Sequence, residues 1–112
     1  MKDDRVYLEQ IVEATNNIHD FVRGMDLNAF LKDRKTQSAV IMQLALIGEL
    51  AKRVTPATKA MIDVPWKEIS GFRDRAIHDY FQIDLQIAWD TIQLDLEPLV
   101  AAIQNYLESQ RA

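Results

Sequence analysis

Arg73, His78 and Tyr80 stand close together in the stretch Gly71-Phe72-Arg73-Asp74-Arg75-Ala76-Ile77-His78-Asp79-Tyr80. His78 is one of only two histidines in the 112-residue chain. The three side chains supply a fixed positive charge, a group that titrates near neutrality and a hydroxyl. They suit phosphodiester cleavage without a metal. A neutral imidazole takes the proton of a ribose 2′-hydroxyl, whose oxygen attacks the adjacent phosphorus, and an imidazolium protonates the leaving 5′-oxygen. With an ordinary histidine pKa of about 6.5, both forms are available at neutral pH. The planar guanidinium of arginine binds two phosphate oxygens at once and stabilises charge that grows on them.

On a regular helix, with about 100° between residues, Tyr80 shares the face of Arg73, and His78 lies roughly 140° away from Arg73. His78 shares a face with Asp74 and Arg75. Asp74 is thus placed to accept a hydrogen bond from one ring nitrogen of His78, which would fix the tautomer. Arg73 and His78 of a single helix do not converge on one small target. Two motif helices from two subunits, facing one cleft, would bring the groups together.

Structural readings compete with each of these. A lone helical histidine is commonly a packing or surface residue. Arg73 with Asp74, and Arg75 with Asp79, could be solvated ion pairs worth well under ~1 kcal/mol. Tyr80 could be a partly buried aromatic. Trp66 and Trp89 are expected in the core. Glu49 is expected to pair with Lys52 or Arg53 one turn on, with a motif arginine as the alternative. His19, beside Asn16, Asn17 and Asp20, reads as polar surface.

Composition narrows the class. The length predicts one domain spanning residues 1–112. Helix formers dominate and there are only 3 Gly and 3 Pro, so an all-α fold is expected. The absence of cysteine removes disulfides, thiolate catalysis and cysteine–zinc sites. The opening Met1-Lys2-Asp3-Asp4-Arg5 does not read as a signal peptide. The longest apolar stretch, Ala39 to Ala51, is interrupted by Gln43, Gly48 and Glu49 and falls short of the ~20 residues a membrane span needs. A cytoplasmic protein with no membrane partner is expected. The net charge of -4 argues against a general nucleic-acid binder, so RNA chemistry would need a local positive site.

The elements that must position the motif can be read from periodicity and caps. Tyr7, Leu8, Ile11, Ala14, Ile18, Phe21 and Val22 form one stripe of a first helix, about Asp3 to Arg23, stopped by Gly24. Asp26 caps a short helix, Leu27 to Leu31. A third helix, about Arg34 to Val54, is apolar nearly all round, which predicts burial on every side or cover by a second subunit. Thr55 reads as a cap and Pro56 as the first residue of a short helical turn through Met61, and Pro65-Trp66-Lys67-Glu68-Ile69 starts another. Gly71 marks a break or close packing point, and the motif continues as helix from Phe72 to Phe81. Asp84 caps the last helix, where Leu85, Trp89, Ile92, Leu96, Leu99, Ile103 and Tyr106 form an a/d seam that Pro98 should kink. The sum is an up-and-down bundle of about five helices.

Arg73-x4-His78-x-Tyr80 resembles the R-x(4–6)-H-x-Y signature of HepT-like toxins in the HEPN superfamily. The context agrees: Ile47-Gly48-Glu49-Leu50-Ala51-Lys52, Val64-Pro65-Trp66, Gly71-Phe72-Arg73-Asp74, and Asp84 with Trp89. The similarity covers nearly all 112 residues. It implies a HEPN-like bundle that forms a homodimer with its motifs at one cleft. It implies a metal-independent endoribonuclease, the toxin of a toxin–antitoxin pair, with RNA as substrate and no cofactor of its own. The implied partner is an MNT-type nucleotidyltransferase antitoxin, which would use ATP and a divalent metal to transfer AMP to the motif tyrosine. By position, Arg73 and His78 are the catalytic pair and Tyr80 the modified residue, with Asp74 and Glu49 in supporting roles. Family members often carry Asn after the motif arginine; Asp74 makes this site less basic. The alternative is a HEPN-like module without nuclease activity that binds a nucleotidyltransferase partner.

Overall fold

The computed structural model describes residues 3–76 and 82–111. The described residues form eight helical segments rather than about five. The extra segments arise because caps and prolines cut the chain at short intervals.

Helix α1 (Asp4–Phe21) begins where the Asp3 carboxylate accepts a hydrogen bond from the Val6 amide at 3.2 Å. Its buried stripe is Leu8, Ile11, Ala14, Thr15 and Ile18. Phe21, expected in that stripe, is exposed because the helix ends there. Gly24 follows with φ +78°, a left-handed conformation that glycine adopts without a Cβ clash. Asp26 caps α2 (Leu27–Leu31) through the Ala29 amide at 2.8 Å, and Asp33 caps α3 (Arg34–Arg53) through the Thr36 amide at 3.0 Å.

Helix α3 is the hub. It packs lengthwise on α1 and also touches α2 and three later elements. Val40, Ile41, Leu44, Ile47, Gly48, Leu50 and Ala51 are buried. The expected all-round burial does not hold within one chain: Met42 is 66% exposed and Leu46 43% exposed.

Three short helices follow: α4 (Pro56–Lys59), α5 (Trp66–Ser70) and α6 (Phe72–Ala76). Thr55 stands at the N-cap of α4 but makes no side-chain cap. Its hydroxyl donates instead to the Asp4 carboxylate, as does that of Thr58, and its amide reaches Asp4 Oδ1 at 3.0 Å. Partial burial pushes the Asp4 carboxyl up, but these hydrogen bonds and the nearby Lys59 charge outweigh it and hold Asp4 below the usual carboxylate range. Trp66 is anchored by its indole N–H, which donates to the carbonyls of Lys59 and Ile62, both at 3.1 Å.

Asp84 caps α7 (Leu85–Leu94) through the Ile87 amide at 3.0 Å. A second segment, α8 (Leu96–Ser109), completes the last helix. The interruption falls at Asp95, upstream of Pro98. Pro98 has no N–H for the carbonyl of Leu94, and its ring crowds that carbonyl, so the helix yields one turn before the proline. The expected seam persists across the break: Ile92, Leu96, Leu99 and Ile103 are buried, and Leu85, Trp89 and Tyr106 pack against the core. Trp89 meets the fully buried Phe30 with ring centroids 5.3 Å apart, tying α7 to α2. Among the described residues, no helix is long and apolar enough to cross a membrane.

Candidate active site

Arg73 owes its position to a close backbone contact. Gly48, in the middle of α3, lets α5 approach so nearly that a Cβ there would lie 2.8 Å from the carbonyl oxygen of Ser70. The close packing point is therefore Gly48, a glycine within the long apolar stretch of α3, and that interruption was the available signal. Gly71 caps α5, its amide donating to the carbonyls of Lys67 and Glu68. The Arg75 amide then donates to the Gly71 carbonyl at 2.9 Å and starts α6.

Phe72 and Ala76 face inward and are 2% and 1% exposed. They anchor α6, so that Arg73, Asp74 and Arg75 face solvent. The Arg73 guanidinium meets the Asp74 carboxylate at 3.5 Å, with side chains 52% and 77% exposed. At that distance and exposure the pair contributes little, and the arginine stays open to an incoming phosphate.

His78 and Tyr80 lie outside the described residues, and so does the expected contact between Asp74 and His78. The flanks of that stretch are joined: the Asp84 amide donates to the Ala76 carbonyl at 2.5 Å. The last turn of α6 and the cap of α7 thus meet. Glu49 is brought to Lys52, at 3.3 Å, and not to a motif arginine. It lines a groove between α3 and α1 with Glu13 and Arg53. Among the described residues, no three His, Asp or Glu side chains converge as a metal site would require.

A cavity of about 330 Å³ opens on the other side of α6, where α5 and α6 meet the α7–α8 break. Its floor is Ile69, Phe72 and Leu99, and Pro65 and Pro98 are walls from the two sides. Arg75 reaches its edge. Sequence reading took Arg75 only as an ion-pairing surface residue; the cavity depends on a helix break that periodicity alone does not place.

Comparison with known proteins places the chain in a family. The model of the family described as ribonuclease HepT-like matches residues 11–106, from the first turns of α1 to near the end of α8. A probable ribonuclease HepT of Thermococcus cleftensis is 40% identical over 94 residues, covering 83% of this chain and 86% of its own. The putative RNase MJ0127 of Methanocaldococcus jannaschii is 42% identical over 92 residues, 81% of this chain and 76% of its own. The putative RNase TTE0752 of Caldanaerobacter subterraneus is 33% identical over 112 residues, 99% of this chain and 100% of its own. No solved structure matches significantly. With the match spanning α6, its exposed arginine and the histidine and tyrosine that follow, the chain belongs to the HepT-like ribonuclease family.

Proposed function

We propose that this protein is a metal-independent endoribonuclease, built as a homodimer with an Arg73/His78 site at the cleft between two copies. The observation that carries this reading is the family match across residues 11–106, which includes the whole Arg73-x4-His78-x-Tyr80 signature. The solvent-facing, weakly paired Arg73 on a firmly anchored α6 supports it.

In the proposed reaction, Arg73 holds two non-bridging oxygens of the scissile phosphate. Neutral His78 takes the 2′-hydroxyl proton as the 2′-oxygen bonds to phosphorus. The bond from phosphorus to the 5′-oxygen breaks, and the leaving oxygen takes a proton from the imidazolium of the second copy. The products are a 2′,3′-cyclic phosphate and a 5′-hydroxyl.

The further reading is that of a toxin neutralised by a nucleotidyltransferase antitoxin, which transfers AMP to Tyr80. An adenylyl group there would add negative charge beside the phosphate-binding arginine and exclude RNA. The alternative, a catalytically inactive module that binds such a partner, draws on the Asp74 carboxylate lying against Arg73.

The deciding experiment incubates the purified protein with RNA in the presence of a chelator. Cleavage leaving 2′,3′-cyclic phosphate ends is expected, with a loss of at least ~100-fold in His78→Ala, the scale of general acid–base catalysis. Equal cleavage by His78→Ala would remove the assignment.

A further inference from the structure

We propose that the cavity beside α6 is a guanine subsite that selects where this ribonuclease cuts, with Arg75 holding a phosphate next to the selected base. The inference rests on the ribonuclease reading and gives it a base preference.

The cavity, at about 330 Å³, lies at the small end of the usual range for ligand sites, roughly 300–1,000 Å³. Its floor is apolar and fixed: Ile69, Phe72 and Leu99 are each 2% exposed. Pro65 comes from the start of α5 and Pro98 from the first turn of α8, so its two rigid apolar walls belong to different elements. Such a slot suits a flat, weakly polar body.

The rim chooses among flat bodies. Asp63, Glu68 and Asp95 supply carboxylates, which when ionised only accept hydrogen bonds. Leu94 also lines the cavity, and Pro98, four residues on, has no N–H to donate to its carbonyl. Among the described residues, Arg75 is the one donor-only side chain in the lining. The ligand must therefore carry several donors of its own. Guanine presents two adjacent donors, N1–H and the N2 amino group, in the spacing that a single carboxylate accepts as a pair. Uracil presents one N–H between two carbonyls, and adenine and cytosine present an amino group beside an acceptor nitrogen. Each of those three turns an acceptor toward the carboxylate.

Placement ties the slot to the reaction. Arg75 follows Arg73 by two positions on the same helix, with α-carbons about 5.4 Å apart by helix geometry. The two side chains leave α6 on different sides, Arg75 toward the cavity. A strand crossing α6 would put one phosphate on Arg73 and its neighbour on Arg75, with the base entering the slot. The acidic rim repels the backbone and admits only the base, which keeps the strand in register. Among the described residues, the side chains of Asp63, Glu68 and Asp95 make no capping hydrogen bond or ion pair, so each can be neutralised without removing a support of the fold.

The test titrates the whole protein with the four nucleoside 3′-monophosphates, none of which has a bond to cleave, and follows binding by calorimetry and by the backbone resonances of Ile69, Phe72 and Leu99. Guanosine 3′-monophosphate should bind at least tenfold more tightly than the uridine compound and shift those resonances. At least one of Asp63→Asn, Glu68→Gln and Asp95→Asn should abolish the preference, and Arg75→Ala should weaken binding of all four alike. Equal binding of all four, or a guanine preference untouched by all three neutral variants, overturns the proposal. Binding of a lysine-bearing peptide in the cavity, with no nucleotide bound, would make it a protein socket and overturn it too. Because the readout needs no cleavage, it fails or succeeds separately from the chelator-resistant RNase assay.

Discussion

The Cβ position of Gly48 falls 2.8 Å from the carbonyl oxygen of Ser70. One hydrogen-sized side chain in α3 thus sets how closely α5 approaches the hub, and α5 leads through Gly71 directly into α6. The obstacle is backbone, which cannot rotate aside. Gly48→Ala should gain up to ~1 kcal/mol of helix propensity but lose more to overpacking, which typically costs about 1–3 kcal/mol and occasionally more. We expect a net destabilisation of about 1–2 kcal/mol, visible as a fall in Tm, together with reduced RNA cleavage as α6 and Arg73 are displaced. A variant as stable and as active as the parent would contradict this account of the α3–α5 contact.

A second prediction concerns Asp4, which joins the start of α1 to the α3–α4 corner through Thr55 and Thr58. Its carboxyl is held low in the folded state, the acceptor role outweighing the upward push of burial. A depressed folded pKa stabilises the protein above the unfolded value of 3.8, and the contribution disappears as pH falls through the folded value. Acid therefore weakens this corner below about pH 4. Asp4→Ala should be less stable by about 1 kcal/mol at pH 7, since its hydrogen bonds are charge-assisted but partly solvated. It should also show a shallower loss of stability on acidification than the parent. Denaturant titrations at pH 7, 5 and 3 measure both, and parallel losses for parent and variant would dismiss the carboxylate's role.

Much of the scaffold is legible in single residues. Asp26 and Asp84 announce their helices because a short carboxylate before an apolar period satisfies free amides. Gly24 marks a stop because the chain turns left-handed there. The a/d seam from Leu85 to Tyr106 survives an interruption because periodicity records which side faces the core, not whether the backbone is continuous. Thr55 misleads because its hydroxyl has a better acceptor, Asp4, distant in sequence. Met42 and Leu46 mislead because hydrophobicity tells what benefits from burial, not which chain supplies the cover. The proposed site is named by residue type, as Arg73, His78 and Tyr80, and of these the structure describes Arg73. The cavity beside it is not, because it comes from two elements meeting at a break.

Those exposed residues of α3 lead to a third prediction. Met42 and Leu46 are one turn apart on a single face, while the rest of the helix's long apolar residues are buried. A second copy is the occupant that the composite Arg73/His78 site, as proposed above, would require. The double variant Met42→Lys/Leu46→Glu should keep its helical content, because neither position supports the core. It should move from dimer to monomer in light scattering at micromolar concentration and lose at least tenfold in RNA cleavage. A double variant that stays dimeric would remove this face from the interface. One that becomes monomeric with full activity would remove the composite site.

The last prediction separates two roles of Asp74. Its carboxylate lies 3.5 Å from Arg73 and is 77% exposed. It also stands four residues before His78, one turn away if the helix continues. The first relationship weakens phosphate binding by partly neutralising the arginine. The second would orient the imidazole and support its charged form. Asp74→Asn removes the charge while keeping the shape, so the two effects act in opposite directions on different constants. RNA should bind a few-fold more tightly, with a steeper dependence on salt as one more cation is freed for the backbone. The rate at saturating RNA should fall by about tenfold, less than the ~10²–10⁴-fold that general acid–base catalysis supplies in full, because the base itself is retained. Its pH profile should shift toward lower pH, because an imidazolium without its carboxylate gives up its proton more readily. Tighter binding with an unchanged rate and pH profile would assign Asp74 to Arg73 alone. A slower rate with unchanged binding would assign it to His78 alone.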